Sequence, residues 1–424
     1  MILGRIRNTL ALLAPGILVA ATGVGSGDLI TAAFGGTHLG VGIAWAALVG
    51  SLLKWSLNEG LARWQMATNT TLLEGWYAHL GRWIRYVFFF YLLIWTFVTG
   101  GALVNACGVA GYALWPIGKS VATSKIIWGV VHSVAGFVLV WIGGFKLFER
   151  LMGVCIGIMF CTVLLTAILI VMKGISPGEF LAINVPSDPV GRKWMIGILG
   201  GVGGTVTLLS YGYWIRNAHR AGLTGVRACR IDLAAGYMMT GLFGVAMIVI
   251  GSRLTLVGKG DMVALLLADQ LKAVLGSFGG VAKWAFLFGF WGAVFSSLLG
   301  VWQSAPYFFA DLALIRRRER TGEWRMEIPF EQTRVYRVCL LAISTLPLIL
   351  LWQQSTTIQL AYSVLGACFM PLLALTLLIL NNGPHVAKEY RNGIASNTIL
   401  LVTLAFFAYQ GGVEMIESLA SKGG

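Results

Sequence analysis

The stretch from Gly16 to Phe34 decides the fold, and it reads G-I-L-V-A-A-T-G-V-G-S-G-D-L-I-T-A-A-F. Its two ends are apolar enough for a membrane helix, but its middle, Gly23 to Asp28, alternates glycine with small residues and ends in a carboxylate. Glycine costs about 1 kcal/mol relative to alanine inside a helix, and an ionisable group at mid-membrane depth costs several times more. Such a break is tolerated only where it lines a cavity in the protein. We therefore expect a membrane helix that is interrupted here.

A second stretch repeats this pattern from Gly197 to Thr207, where the chain reads G-I-L-G-G-V-G-G-T-V-T. It opens with the same G-I-L and contains the same G-V-G. Two glycine-interrupted apolar segments in corresponding parts of two halves are the best sequence indication of the binding site of a secondary transporter. The two breaks therefore predict where a substrate binds.

The composition of the 424-residue chain requires a membrane. Hydrophobic residues make up 57% and charged residues only 11%, and the mean hydropathy is +0.80. We expect one integral membrane domain over residues 1–424, in contact with lipid and with no cleaved signal peptide. The six cysteines have neither metal nor disulfide spacing, so we interpret them as packing residues.

Eleven apolar segments are long enough to span a bilayer, at about 20 residues each. They lie near 9–37 (interrupted), 42–66, 86–115, 126–144, 147–172, 194–218 (interrupted), 231–252, 282–310, 335–352, 356–380 and 396–413. The breaks in the first and sixth segments suggest two inverted repeats of five spans, about 9–172 and 194–380, followed by an extra helix at 396–413. The fold class predicted is all-α.

The basic residues predict the orientation. With alternate loops on opposite sides, the side of the N-terminus collects 20 lysines and arginines and the other side 10, while Lys54 lies inside a span. The positive-inside rule puts the N-terminus in the cytoplasm and, with eleven spans, the C-terminus outside. The net charge of +14 is thus explained by topology and not by nucleic-acid binding. Ile315 to Arg334 is expected to be a solvated basic loop, and Met262 to Leu275 a surface amphipathic helix.

The first break offers the backbone of Gly25 and the side chains of Thr22, Ser26, Asp28 and Thr31. Asp28 is the tentative metal ligand, because a carboxylate is a hard oxygen donor. The ligand role is favoured, but Asp28 could also cap the helix that restarts after the break, or pair with Lys54 as a structural partner. The sequence leaves these three roles open.

The second break supplies backbone and hydroxyl groups without charge. Its candidate substrate-binding residues are Gly204, Thr205, Thr207, Ser210 and Tyr211. No histidine, methionine or cysteine lies near either break, so a site selective for soft transition metals has little support. No cofactor is expected.

Spans 2 and 10 carry further buried polar residues. Glu59 and Arg63, spaced i, i+4, can pair on one helix face, which leaves Lys54 most exposed to the membrane interior. Such a residue is a functional candidate by default, although a buried ion pair that locks span 2 to a neighbour is about equally supported. Gln359 in span 10 either completes a coordination sphere or bonds another helix.

Several motifs resemble the Nramp family of divalent-metal transporters over most of the chain. The break after Pro15-Gly16 is similar to the family's D-P-G-N region, and Ala67-Thr68 with Leu72 and Glu74 resembles A-T-G-x-x-L-x-E. Further matches are Thr205-Val206, as in the T-V before the family's M-P-H, and Gln359 followed by Ser363 and Pro371, as in its helix 10. The resemblance implies a LeuT-like fold with a five-plus-five inverted repeat.

The chain departs from the family pattern at the positions that bind metal and move protons in the family. Gly25-Ser26-Gly27-Asp28 stands in place of D-P-G-N, so a glycine replaces the metal-binding aspartate and an acid appears at the asparagine position. Thr207-Leu208-Leu209 stands in place of M-P-H, which removes a thioether ligand and a histidine tied to proton movement. The acids of the family's helix 3 are also missing; this chain has Thr96, Thr99 and Asn105 there.

These features predict a transporter of a small inorganic ion in the inner (plasma) membrane, working by alternating access and possible as a monomer. A hard divalent cation resembling magnesium or manganese is favoured, without the usual proton-coupling residues. A small anion such as bicarbonate or chloride is the alternative, because half-helix N–H groups suit anions. An enzyme is not expected, since the chain has no G-x-S-x-G, H-E-x-x-H or Walker motif.

Overall fold

The computed structural model describes residues 25, 27–143, 145–201, 203–217, 220–254, 260–321 and 330–420. Within these ranges the chain forms sixteen α-helices and no strand. The helices are α1 Ala32–Leu39, α2 Ala44–Thr68, α3 Leu72–Leu80, α4 Arg82–Leu114, α5 Val121–Ile142, α6 Phe145–Gly174, α7 Pro177–Leu181, α8 Pro189–Gly201, α9 Ser210–Asn217, α10 Gly222–Gly251, α11 Val263–Leu275, α12 Gly279–Thr321, α13 Arg334–Thr345, α14 Ser355–Ala367, α15 Phe369–Asn382 and α16 Ile394–Ala420.

Ten helical segments in the described ranges are long and apolar enough to cross a membrane. They are Val41–Thr68, Trp83–Leu114, Val121–Ile142, Ile156–Gly174, Pro189–Ile215, Gly222–Gly251, Gly260–Arg316, Arg334–Trp352, Ser355–Asn382 and Ile394–Gly411. Each corresponds to one of the last ten predicted spans. Most of the predicted first span lies outside the described residues, so the count of eleven stays a prediction.

The helices define two faces of the molecule. We call the side on which α2 ends and α4 and α10 begin the arginine-rich face, and the side on which α4 ends and α14 begins the opposite face.

The amphipathic helix expected at Met262 to Leu275 is confirmed as α11, which buries Val263, Leu267 and Leu271 on one side. This i, i+4, i+8 spacing is that of a helix lying along a surface.

The prediction of a basic loop from Ile315 to Arg334 is wrong in its first part. Helix α12 continues to Thr321 and is 43 residues long, or about 65 Å at the usual rise per residue. That is about twice the apolar thickness of a bilayer, so α12 is longer than a single crossing requires. The run R-R-R-E-R consists of good helix formers, which explains why the helix does not stop where the apolar residues end.

Helix α1, which follows the predicted first break, packs backbone to backbone on α10. An ideal Cβ on Gly36 would lie 2.2 Å from the carbonyl oxygen of Ile248, and one on Gly251 would lie 2.1 Å from that of Ala33. Only glycine allows such a close approach, and small residues are how membrane helices reach it. The position of α1 is therefore fixed by α10, which also packs along α2.

Candidate functional site

The second glycine stretch forms a break between α8, which ends at Gly201, and α9, which begins at Ser210. Gly203 and Gly204 have φ angles of +85° and +87°, a region that glycine enters without steric cost. A 3₁₀ turn then leads into α9. The ends of interrupted helices leave carbonyl and N–H groups without intrahelical partners, and their dipoles both meet at the break. The break can therefore bind either sign of charge.

Lys54 of α2 lies against this break. Its side chain is 0% exposed, and an ideal Cβ on Gly203 would lie 3.5 Å from Lys54 Cδ. The same Cβ position is 3.3 Å from Tyr237 and from Thr240, both of α10. A side chain at residue 203 would crowd the lysine, so the glycine serves the packing as well as the backbone conformation. The structure thus brings Lys54 into the predicted site.

The polar contacts continue one turn along α2 from Lys54. Asn58 Nδ2 donates to the hydroxyl of Tyr237 over 2.8 Å, while Asn58 Oδ1 is buried with no hydrogen-bond partner. A buried polar atom without a partner is costly and calls for an explanation such as a water or an ion. The α2–α10 interface beside the break is therefore polar and incompletely satisfied.

Thr205 is fixed between two other helices. Its Oγ1 accepts a hydrogen bond of 2.9 Å from Trp95 Nε1 of α4, and both side chains are buried. On the other side, an ideal Cβ on Gly366 of α14 would lie 2.3 Å from Thr205 Cγ2. The second break is thus anchored to α4 by a hydrogen bond and to α14 by close packing.

Gln359 of α14 lies about two turns before Gly366 on the same helix. Its Nε2 donates to the carbonyl oxygen of Ala102 on α4 over 2.9 Å, so the predicted bond to another helix is present. Its Oε1 is buried without a partner and remains available as a ligand. Thr99, which lies between Trp95 and Ala102 on the same face of α4, also has a buried hydroxyl without a partner.

A contact between the two halves of the chain closes the site from the side of the first break. The hydroxyls of Thr31 and Ser363 lie 2.8 Å apart and are buried. Thr31 ends the wide helical turn Gly27–Thr31 that leads into α1, and Ser363 is one turn beyond Gln359 on α14. The described end of the first break therefore meets the helix that carries Gln359.

The predicted residues of the first break are only partly described. Thr22 and Ser26 lie outside the described residues. Gly25 is buried, and its carbonyl oxygen accepts a bond of 3.0 Å from the N–H of Leu29. Asp28 is the second residue of the helical turn, but its side chain lies outside what the structure describes. The role of Asp28 stays a prediction.

The remaining predicted residues of the second break divide into two groups. An ideal Cβ on Gly204 would lie 2.8 Å from Thr207 Oγ1, and Ser210 Oγ is buried without a partner, so both hydroxyls stay beside the break. The hydroxyl of Tyr211 points away from the break and donates to Asp232 over 2.8 Å. Arg220 pairs with the same carboxylate at 2.6 Å. The structure thus assigns Tyr211 to an ion-pair cluster at the arginine-rich face.

Glu59 is likewise engaged in an ion-pair cluster. Its carboxylate accepts 2.8 Å bonds from Arg63, as the i, i+4 spacing predicts, and from Arg230 of α10. Arg63 also donates to the backbone oxygen of Tyr390 and to Asn392. Glu59 therefore joins α2, α10 and the segment before α16, and does not face the break.

Two residues of the candidate site, Trp95 and Tyr237, were not predicted from the sequence, whereas Thr31 was a candidate of the first break and Ser363 was noted only in the family pattern of span 10. Trp95 resembles any interfacial tryptophan in the sequence, and nothing local distinguishes it. Thr99 was seen only as a neutral residue of span 3. The i, i+4, i+8 spacing of Ser355, Gln359 and Ser363 is the one signal that could have identified a polar face on span 10.

The site as described offers hydroxyl, amide and amine groups. Across the described residues, no three His, Cys, Asp or Glu side chains lie close enough together to hold a metal ion. A divalent cation at this position would therefore depend on Asp28 together with neutral oxygens, whereas an anion would meet Lys54 and the half-helix N–H groups. These are the two kinds of chemistry that the arrangement permits.

The chain matches one protein family and a group of solved structures. The profile "Natural resistance-associated macrophage protein-like", or Nramp, matches residues 16–414. A mutant of the Eremococcus coleocola manganese transporter superposes with a TM-score of 0.70 at 17% identity, covering 98% of this chain and 88% of that one. MhsT in complex with L-phenylalanine superposes at 0.63 with 14% identity, covering 96% and 98%. These likenesses show a LeuT-like all-α fold, and the break that the structure describes is the one between Gly201 and Ser210. No curated protein matches the sequence.

Proposed function

Because the chain belongs to the Nramp family, whose members are multi-pass membrane transporters and not enzymes, we propose that it moves a small inorganic ion by alternating access. The observation that carries the proposal is the second break, where Gly203 and Gly204 interrupt a buried helix beside Lys54, Thr205 and Thr207. Nothing in the packing of a membrane helix requires such a break, whereas an ion site does.

The first candidate substrate is a hard divalent cation that resembles magnesium or manganese. The structural neighbours include manganese transporters, and Asp28 places a carboxylate in the first break. Hydroxyl and amide oxygens such as those of Thr207 and Gln359 are hard ligands, and the thioether that favours softer metals is absent from both breaks. Magnesium keeps part of its water shell, which suits a site with few charged ligands.

Transport is proposed to be independent of protons. The described buried carboxylates of Glu59, Asp232 and Asp311 each accept hydrogen bonds in clusters away from the break. The polar residues of α4 that face the site are neutral.

We propose the plasma membrane as the location, with the N-terminus in the cytoplasm because of the arginine bias. A monomer suffices, since one chain supplies both breaks.

The first prediction concerns Asp28. Asp28→Asn removes the one carboxylate of the first break, so the affinity for Mn²⁺ and Mg²⁺ is expected to fall on the order of tenfold or more, which corresponds to about 1.4 kcal/mol or more of binding free energy. Calorimetric titration of the purified protein measures this loss. Asp269→Asn is the matched control, because Asp269 is half-exposed and pairs with Lys283 away from the site. Unchanged metal affinity in Asp28→Asn would exclude the carboxylate as a ligand.

The second candidate substrate is a small anion such as bicarbonate or chloride. The observation that favours it is Lys54, which is fully buried beside the break. A positive charge there opposes a divalent cation and attracts an anion, and the dipoles of half-helices supply N–H donors for it. If Asp28 serves as a structural partner of Lys54, the site retains no free carboxylate.

A second prediction tests the anchoring of the break. Trp95→Phe removes the donor to Thr205 and costs about 1 kcal/mol of local interaction, so the KM for ion uptake is expected to rise several-fold while the protein stays folded. Trp45→Phe is the control, because Trp45 Nε1 also donates one hydrogen bond, to the carbonyl oxygen of Asn184 at 3.1 Å, but away from the break. Equal changes in KM for the two variants would refute a positioning role of Trp95.

A further inference from the structure

A polar seam joins α4 to α14 and runs from the opposite face to the second break. The two helices are antiparallel, and their contacts occur in order: Asn105 with Ser355, then Ala102 with Gln359. Beyond them, Tyr91 donates to the carbonyl oxygen of Leu365 over 2.9 Å. Trp95 and Thr205 connect this seam to the break itself.

The seam is less well satisfied than an ordinary helix interface. Thr99 Oγ1 and Gln359 Oε1 are both buried in it without hydrogen-bond partners. Unsatisfied buried oxygens cost free energy in a closed interface, and that cost disappears when water or an ion reaches them. Hydration would therefore compensate part of the cost of opening this interface.

An ion pair closes the seam at the opposite face. Lys125 at the start of α5 donates to Asp261 over 3.0 Å and to the carbonyl oxygen of Gln353 over 2.8 Å. The second carboxylate oxygen of Asp261 accepts from the N–H and the hydroxyl of Ser355, the first residue of α14. The pair therefore holds α14 to α5 where the seam begins.

The burial of the pair lets it control whether the α4–α14 seam is open or closed. The Lys125 side chain is only 3% exposed, whereas that of Asp261 is 25% exposed. A buried charge whose partner is removed is strongly destabilised, and it is relieved when the surrounding interface opens to water. Asp261→Asn keeps an oxygen acceptor for Ser355 and removes only the charge opposite Lys125. The variant therefore raises the free energy of the closed seam more than that of an open one.

We propose that the Lys125–Asp261 ion pair is a gate that keeps the α4–α14 seam closed. When the seam opens, it forms the route from the opposite face to the space between the breaks. The proposal rests on the transport function for its physiological meaning. Its test does not, because it measures access to the seam in the absence of any substrate.

Cysteine labelling measures this access. Thr99→Cys is close to isosteric and loses no hydrogen bond, since the hydroxyl has no partner. It is placed in a background with the six native cysteines replaced by serine, and the reaction of its thiol with a charged maleimide is followed in the purified protein. The same background with Thr99 retained controls for labelling elsewhere, and the melting temperature controls for folding.

Asp261→Asn is expected to raise the labelling rate of the Thr99→Cys thiol on the order of tenfold, because loss of the pair shifts the population toward the open seam. Asp269→Asn, which breaks the exposed Lys283 pair at 2.6 Å, is expected to leave the rate unchanged.

An unchanged labelling rate of folded Asp261→Asn, or an equal increase in Asp269→Asn, would overturn the proposal. If Asp261→Asn does not fold, Lys125→Met provides the same comparison. Faster labelling of Asp261→Asn without any ion flux in liposomes would support the ion-pair gate and refute the transport function. Failure of the gate proposal can therefore be distinguished from failure of the transport proposal.

Discussion

Replacement of Glu59 by alanine is expected to destabilise the protein by about 3–5 kcal/mol, because removing one partner of a buried ion pair leaves the other charge uncompensated. The Glu59 side chain is 5% exposed and serves two arginines at 2.8 Å each. Arg63 would stay buried with only its neutral acceptors, Tyr390 and Asn392. Thermal unfolding of the detergent-solubilised protein measures the loss.

Asp269→Ala is the matched control for Glu59→Ala. Asp269 is likewise the acidic partner of a basic residue, Lys283, at 2.6 Å, but its side chain is 50% exposed, and exposed pairs contribute about 0–1 kcal/mol. A large fall in melting temperature for Glu59→Ala with little change for Asp269→Ala is the expected pattern. Similar stability of both variants would mean that the cluster at Glu59 does not lock α2 to α10.

Gly200→Ala is expected to disrupt the packing next to the second break. An ideal Cβ on Gly200 would lie 2.3 Å from Ala367 Cβ and 2.5 Å from Ala367 Cα, so α8 and α14 must move apart. Overpacking of this kind costs about 1–3 kcal/mol. We expect a lower melting temperature together with impaired ion uptake, because α14 also carries Gln359 and contacts Thr205.

The matched control is Gly157→Ala, on the exposed side of α6. An ideal Cβ there meets nothing within 4 Å, and alanine is about 1 kcal/mol better than glycine in a helix interior. This control should be neutral or slightly stabilising. If Gly200→Ala were equally well tolerated, the close approach of α8 and α14 would not be essential to the fold.

The second break and the last ten apolar spans could be predicted from the sequence because both depend on local chemistry. Gly203 and Gly204 adopt positive φ angles, for which glycine is the natural residue, and the spans follow from length and apolarity. The Glu59–Arg63 pair was equally accessible, since it depends only on helical spacing.

The contacts between distant residues could not be predicted in this way. Tyr211 is taken by Asp232 through the arrangement of α9 and α10, and Trp95 reaches Thr205 across 110 positions of sequence. Lys125 and Asp261 are 136 positions apart. No local pattern encodes such pairings, because they arise when helices pack. The sequence therefore predicted where the second break lies but only part of what packs against it.

The most direct test of the proposed function is ion uptake into proteoliposomes that contain the purified protein, comparing Mn²⁺ and Mg²⁺ with bicarbonate under matched ionic conditions. Our account predicts uptake of the divalent cations that is lost in Asp28→Asn, retained in Asp269→Asn and not driven by a pH gradient. Bicarbonate flux without metal flux, retained in Asp28→Asn, would contradict the cation assignment and favour an anion held by Lys54. The absence of flux for every ion tested would contradict the central claim that the space between the two breaks carries a small inorganic ion.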